Sequence, residues 1–160
     1  MRHLITILFF AFLTLVQPMR KTECEAKPAG RFKKYPLELA ASKGLVETAR
    51  ELLKQGCSPN IKGNGIFSSG FSPLHYASFY GFKEVAVELL KASANVDALD
   101  NNGRTPLMYA AANGNKEVAV LLLDYGADTS IVDASQYSSK MLAQAKAMWD
   151  VVKLIDGRKE

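Results

Sequence analysis

The sequence is poor in the side chains that carry out most enzyme chemistry. Its 160 residues include two histidines, two cysteines and one tryptophan. A zinc site built from cysteine and histidine alone would need all four residues of the first two types. The sequence also has no phosphate-binding loop, nucleophile elbow, HExxH motif or EF-hand spacing. We therefore predict that the protein is not an enzyme, and we predict no cofactor and no metal site.

An excess of charge of one sign is also missing. Twenty lysines and arginines against sixteen acidic residues give a formal charge of +4, and the basic residues are spread along the chain. Nucleic-acid-binding proteins usually concentrate such residues on one face or helix. Hydrophobic and charged contents of 48% and 22% are typical of an ordinary packed domain, and the length fits about one domain. We expect one packed domain that does not bind nucleic acid.

One long hydrophobic run occurs, and it lies near the amino terminus. Residues 4–16 read LITILFFAFLTLV and follow a basic start at Arg2. This run is shorter than the roughly 20 apolar residues that a membrane-spanning helix needs, but it has the length of the apolar part of a signal peptide. We predict a signal peptide over 1–26 with cleavage after Ala26, a basic lead-in over 27–34, and a periplasmic or secreted protein. An ordinary buried or amphipathic helix is the alternative, although the run shows no polar periodicity.

A repeat of 33 residues organises the rest of the sequence. The segment that starts at Ser72 (SPLHYASFYGFKEVAVELLKASANVD) returns from Thr105 as TPLMYAAANGNKEVAVLLLDYGADTS. An earlier copy starts at Tyr35, with four residues inserted before the second copy, and a more divergent copy starts near Ser138. We predict a repeat domain over 35–156. Its repeats cover approximately 35–61, 67–99, 100–132 and 133–156, with an inserted finger loop over about 61–71.

Each copy has the start and stop signals of a helical hairpin. Ser72 or Thr105 can cap a helix whose first residue is a proline, since proline has the required backbone angle and no amide hydrogen to leave unpaired. A glycine can end that short helix in the left-handed conformation, and a second amphipathic helix follows. One hairpin cannot bury its apolar side alone, so neighbouring copies must stack.

These motifs resemble the ankyrin repeat. The resemblance rests on Ser72 to Ala77 (SPLHYA), Thr105 to Leu107 (TPL) and Gly126 to Asp128 (GAD), and it extends over about 35–155. It implies an all-α ankyrin-repeat solenoid of about four helix-turn-helix repeats with projecting hairpin-like loops. For His75 it implies an imidazole that tethers neighbouring loops by hydrogen bonds. We assign structural roles to Pro36, Gly44, Ser72, Pro73, His75, Gly81, Thr105, Pro106 and Gly114.

The resemblance also implies where a partner would bind. Ankyrin proteins usually bind other proteins through the loop tips and the exposed side of the first helices. In this register the predicted partner-binding residues are Ile66, Phe67, Ser68, Ser69, Phe71, Phe79, Tyr80, Asn101, Asn102, Arg104, Asn113, Tyr125 and Tyr137. The inserted loop is unusually apolar, which favours a binding finger, and the alternative is a loop that packs on itself. We expect a monomer in the absence of the partner.

Cys57 aligns with Ala94 and Ala127, at a small position just after the second helix. Cleavage after Ala26 would remove Cys24, so no intrachain disulfide would be possible. A buried inert thiol is the simple interpretation of Cys57, and a redox-sensing or intermolecular thiol is its rival.

The chain resembles small exported bacterial ankyrin proteins that protect against secreted enzymes or assist them. The first hypothesis is an inhibitor or self-protection (immunity) protein that binds and blocks a secreted cell-wall hydrolase, a peptidoglycan peptidase. A periplasmic accessory protein that supports a catalase or another secreted enzyme is the second. A cytosolic protein-interaction scaffold, whose hydrophobic start is an uncleaved anchor or a wrong gene start, is the third. In the first two the partner is a secreted or periplasmic enzyme, with no membrane association after signal removal.

Overall fold

The computed structural model describes residues 36–62 and 69–157. The predicted signal peptide, the lead-in over 27–34, and Ile66, Phe67 and Ser68 of the finger loop lie outside these ranges. The described residues form eight helices. They are α1 (Pro36–Lys43), α2 (Val46–Lys54), α3 (Pro73–Tyr80), α4 (Lys83–Lys91), α5 (Pro106–Asn113), α6 (Lys116–Asp124), α7 (Ser139–Ala145) and α8 (Trp149–Asp156).

The helices stack in two parallel rows. Each repeat contributes one helical hairpin, and α1, α3, α5 and α7 pack side by side to form the first-helix row. The second-helix row consists of α2, α4, α6 and α8. Paired extended residues within the described ranges are limited to a single antiparallel bridge between Val132 and Ser138. The predicted all-α solenoid of about four repeats is therefore confirmed.

The core is continuous through the stack and repeats the same positions. Ala40, Ala77, Ala110 and Ala143 occupy one site in successive first helices and are almost completely buried. Their small side chains allow neighbouring first helices to approach closely. Leu52, Leu89, Leu122 and Ile155 fill the corresponding site of the second helices. Because each repeat covers the apolar side of the next, the repeats stabilise one another as nearest neighbours.

Three of the first helices start with a side-chain cap. The hydroxyls of Ser72, Thr105 and Ser138 accept hydrogen bonds from the backbone N–H three residues further on. Proline occupies the first helical position in α3 and α5. The cap satisfies one of the amide groups that a helix start leaves unpaired, and this fixes where each first helix begins.

The turn between the two helices of a hairpin needs a left-handed residue. Gly81 and Gly114 have φ angles of 78° and 76° there. The fourth repeat has Ala147 in the same place, with φ of 54°. Ser93 and Gln136 also have positive φ, at positions where other repeats carry glycine. A β-carbon in this region costs roughly 1–2 kcal/mol, so these three turns are strained.

We predict that Ala147→Gly raises the free energy of unfolding by about 1 kcal/mol, because it removes the β-carbon from the left-handed turn. Urea unfolding followed by circular dichroism measures the change. Ala112→Gly, within the regular part of α5, is the matched control and should lower the free energy of unfolding by about 0.5–1 kcal/mol. An Ala147→Gly variant no more stable than the native protein would contradict the strain.

Candidate protein-binding site

A group of aromatic rings joins the second and third repeats. Phe71 packs between His75, Tyr76 and Tyr109, with ring centroids 5.4, 5.1 and 4.8 Å apart. Phe79 lies 5.9 Å from Tyr109 on the same side. We refer to these five rings as the aromatic cluster. Phe71 is half-buried at its centre, so this ring, which we predicted as a partner contact, also packs within the domain.

The outer edge of the aromatic cluster is open to solvent. Phe79 is 37% exposed and Tyr80 is 50% exposed. Their rings meet edge to face with centroids 4.9 Å apart, and Tyr80 stacks on Phe82 at 5.8 Å. Rings held this way lose little freedom when a partner covers them, and large exposed aromatics are frequent among the residues that dominate binding.

His75 links the second repeat to the third from within the core. The backbone N–H of Ser72 donates to its Nδ1 at 3.1 Å, so the proton lies on Nε2, which donates to the carbonyl of Arg104 at 3.0 Å. Burial lowers the pKa of His75, and the hydrogen bond to the Arg104 carbonyl only partly opposes this shift. A neutral, fully buried imidazole with both nitrogens occupied tethers the loops but cannot reach a substrate.

Asp100 holds the hairpin tip before α5. Its carboxylate accepts backbone N–H bonds from Asn102 and Arg104, both at 2.8 Å, and the hydroxyl of Tyr109 at 2.7 Å. Burial and the bond to Asp100 raise the pKa of the Tyr109 hydroxyl. The hydroxyl therefore remains a donor at neutral pH, and it joins the aromatic cluster to the hairpin tip.

Asp133 repeats this arrangement one unit later. It accepts backbone N–H bonds from Ser135 at 2.9 Å and Tyr137 at 3.0 Å, and Arg104 Nε donates to it at 2.9 Å. Burial alone would raise the pKa of Asp133, but these three donors outweigh it and hold the pKa below its usual value. The Arg104 side chain is therefore bound to the next hairpin, and it is only partly accessible to a partner.

Neighbouring hairpin tips are also bonded through their backbones. Asn101 N–H donates to the carbonyl of Ser69, and Ala134 N–H donates to that of Asn102, both at 2.9 Å. The two bonds are one repeat apart. The tips therefore form one connected edge rather than separate loops.

The structure brings together most of the predicted contact residues that it describes. Ser69, Asn101, Asn102, Arg104 and Tyr137 lie on the hairpin tips, and Phe79, Tyr80 and Asn113 lie on the exposed side of the first helices. Tyr125 lies apart, at the carboxyl end of α6 in the second-helix row, and is 45% exposed. None of these placements tests partner binding, so the assignments remain predictions.

Sequence reasoning missed Leu39, Tyr76, Leu142, Lys43 and Lys146 on the outer side of the first helices, whereas Tyr80 and Asn113 were predicted and Tyr109 is buried. Leu39, Tyr76, Tyr109 and Leu142 occupy one repeat position, and Lys43, Tyr80, Asn113 and Lys146 occupy the position one helical turn further on. Residues four apart share a helix face, so the two sets run side by side across the first-helix row. The repeat register aligns these positions, but they carry no family motif that would single them out.

A shallow groove of about 320 Å³ lies between α2 and α4 in the second-helix row. Its polar wall consists of Arg50, which bonds to Glu88 at 3.0 Å and Glu47 at 2.7 Å, and Lys91, 3.7 Å from Glu88. Arg50, Lys91 and Glu88 therefore compensate one another, and Lys54 adds a further exposed cation to the lining. Within 36–62 and 69–157, no group of three metal-ligating side chains is assembled, and no helix is long and apolar enough to cross a membrane.

Cys57 is buried and disulfide-bonded. The expectation of an unpaired, inert thiol, with no intrachain disulfide in the chain, is therefore wrong. Alignment with alanines indicated the size of the side chain at this position but not its bonding.

The comparison with known proteins agrees with this architecture. The family model for ankyrin repeats, in three copies, matches residues 37–133, which is more than half of the chain. The chain belongs to the ankyrin-repeat family. Ankyrin-repeat proteins are typically non-enzymatic modules that bind other proteins.

One curated relative is an ankyrin and IPT/TIG repeat-containing protein of Schizosaccharomyces pombe. It is 36% identical over 63 residues, which is 39% of this chain and 5% of the yeast protein. The chain thus matches a small part of that relative, and the likeness extends to the repeats and not to the rest of the yeast protein.

We predict that His75→Met abolishes a pH-dependent loss of stability. The pKa of His75 is lowered on folding, so the unfolded chain binds the proton first and stability falls as pH drops below about 6.5, by at most about 1.4 kcal/mol per pH unit. Methionine suits the site because Met108 fills it in the third repeat.

Urea unfolding at pH 5 to 7.5 measures this dependence. The variant should be less stable at pH 7.5, since it lacks the bond to Arg104, but its stability should change less with pH. Equal slopes in both proteins would refute the buried neutral state.

Proposed function

We propose that this protein is an exported inhibitor or self-protection (immunity) protein that binds and blocks a secreted cell-wall hydrolase, a peptidoglycan peptidase. The observation that carries the proposal is the exposed pair Phe79 and Tyr80. The two rings pack against each other, and Phe79 also packs against Tyr109 of the aromatic cluster. Beside this pair lies the hydrogen-bonded edge of hairpin tips. The surface combines rigid aromatic anchors with polar groups at its border, which is the composition of a protein-binding site.

The inserted loop favours an enzyme as the partner. Enzyme active sites are concave, and a partner that blocks one needs a projecting segment. The insertion over about 61–71 contains Ile66 and Phe67, which are apolar where a neutral insertion would be polar. It joins the described chain at Lys62 and Ser69, directly beside the hairpin edge. The likeness to small exported bacterial ankyrin proteins adds the cell-wall hydrolase as the target.

A non-catalytic role is part of the proposal. His75 has both ring nitrogens in hydrogen bonds within the core. Asp100 and Asp133 are committed to backbone amides in the hairpin tips. These buried groups support the binding surface, and inhibition then follows from occupying the partner and not from chemistry.

Export is supported by the disulfide at Cys57. Disulfides persist in oxidising compartments such as the periplasm and are rare in the cytosol. Cys24 is the other cysteine of the sequence. A mature chain that keeps this bond within itself must retain Cys24, so we now place signal cleavage before Cys24 and not after Ala26.

Intact mass measurement of the exported protein, with and without reduction, tests this cleavage. We expect an amino terminus between Val16 and Cys24 and two thiols that become alkylated only after reduction. A start at Lys27 with one free thiol would contradict the revised cleavage site. An intact Met1 on a cytosolic protein would contradict export and favour the interaction scaffold.

We predict that Phe79→Ala and Tyr80→Ala each weaken partner binding by roughly 1–3 kcal/mol, because each removes an exposed aromatic anchor. Isothermal titration with the enzyme that copurifies from the periplasm measures the change, and circular dichroism should show unaltered helicity. Trp149→Ala is the matched control, since Trp149 is an exposed aromatic residue of the second-helix row that is not assigned to binding.

A peptidoglycan-hydrolysis assay with the copurified enzyme tests the inhibitory role. The protein should slow hydrolysis, and Tyr80→Ala should need a higher concentration for the same effect. Recovery of no hydrolase, or an unchanged rate, would refute inhibition. An enzyme whose activity rises on binding would instead favour the accessory role.

A further inference from the structure

We infer that the first-helix face binds an acidic segment of the partner that carries an aromatic or aliphatic side chain. The first-helix face is the exposed side of α1, α3, α5 and α7. This inference rests on the proposed protein-binding function and names the chemistry of the segment recognised.

The first-helix face has an apolar centre and cationic ends. One row of equivalent positions runs Lys43, Tyr80, Asn113, Lys146, and all four side chains are exposed. The two lysines belong to the first and fourth repeats and therefore flank the aromatic and amide groups of the middle repeats. Lys62, near the hairpin edge, adds a third exposed cation, and its Nζ donates to the carbonyl of Leu99 and not to a carboxylate.

The four described first helices carry no exposed carboxylate. Glu38 is the acidic residue of the four first helices, and it is 2% exposed. In the hairpin tips, Asp100 and Asp133 are buried and bonded to backbone amides. Arg104 and Lys140 are paired with Asp133 and Asp156. The exposed charges that the first helices contribute outside these ion pairs, Lys43 and Lys146, are therefore positive.

The second-helix row differs in carrying exposed charges of both signs. Its helices carry most of the exposed acidic residues, mixed with lysines: Glu47, Glu51, Glu84, Glu117, Asp124, Asp150 and Asp156. Ion pairs cross between its helices, from Arg50 to Glu88 and from Lys116 to Asp150. The second-helix row is thus a mixed-charge surface, whereas the exposed charges of the first helices outside the ion pair are positive.

This distribution of charge indicates the chemistry of the partner segment. A positive rim attracts an acidic surface and repels a basic one, which sets specificity and speeds association more than it adds affinity. The apolar centre, formed by Leu39, Tyr76, Phe79 and Tyr80, then needs an apolar side chain to exclude water. A bare polyanion such as nucleic acid would leave this centre uncovered, and three separated lysines do not form the basic stripe that it requires.

Selection of random peptides displayed on phage, with the disulfide-intact protein as bait, tests the inference. Selected peptides should carry net negative charge together with an aromatic or aliphatic residue. Lys43→Glu combined with Lys146→Glu should weaken binding of a synthetic selected peptide about tenfold or more, and added salt should weaken binding to the native protein.

The matched control is Lys54→Glu combined with Lys83→Glu, which makes the same change in net charge on the second-helix row. It should change the affinity by less than about twofold. An equal loss of peptide affinity in the two double variants would show that only the net charge of the protein matters, and it would overturn the inference. Selected peptides without net negative charge, no selected peptide at all, or equally strong binding of poly-L-glutamate would also overturn it.

The two proposals fail separately. If the hydrolysis assay shows inhibition that depends on Tyr80 but the charge reversals have no effect, the acidic segment is wrong and the inhibitory role stands. If acidic peptides bind as described but no hydrolase is inhibited, the recognition chemistry stands and the proposed target is wrong.

Discussion

The contact between neighbouring first helices depends on one alanine in each repeat. A larger side chain at Ala77 or Ala110 would separate the helices, because these side chains are completely buried between them. The close approach puts equivalent residues of successive repeats next to one another. It allows His75 to reach the Arg104 carbonyl, and Arg104 to reach Asp133. The binding surface is therefore a by-product of tight stacking: its rows of exposed side chains exist because the repeats are in register.

Much of the fold could be predicted from the sequence because repetition supplies internal comparison. Pro73 and Pro106 at helix starts, and Gly81 and Gly114 at helix ends, have the same backbone requirement in each copy. The fourth copy was harder to place, since Ala147 adopts a glycine conformation without being glycine. The sequence around Ala147 does not indicate a left-handed turn, because the packing of the neighbouring repeats imposes that backbone conformation.

The candidate site was less predictable, for a different reason. Exposure depends on how side chains fill the space between repeats, and a repeat pattern does not specify it. Phe71 has the composition of a contact residue, but it is half-buried among three rings. Lys43 and Lys146 look like ordinary surface lysines and gain significance only because the one acidic residue of the first helices, Glu38, is buried. The bond at Cys57 could not be foreseen either, since a small aligned position gives only the size of the residue.

Strain in the turn at Ala147 has a consequence for the reach of the whole array. In a stacked repeat protein the end units open first, because they have one neighbour instead of two. The fourth repeat combines this position with a turn that disfavours its own residue. Lys146 precedes that turn, so local opening of the last hairpin would remove one of the two terminal cations while the first three repeats stay folded. The strained turn and the last cation of the first-helix row therefore belong to the same hairpin, so the stability of that hairpin bears on how far the row of exposed side chains extends.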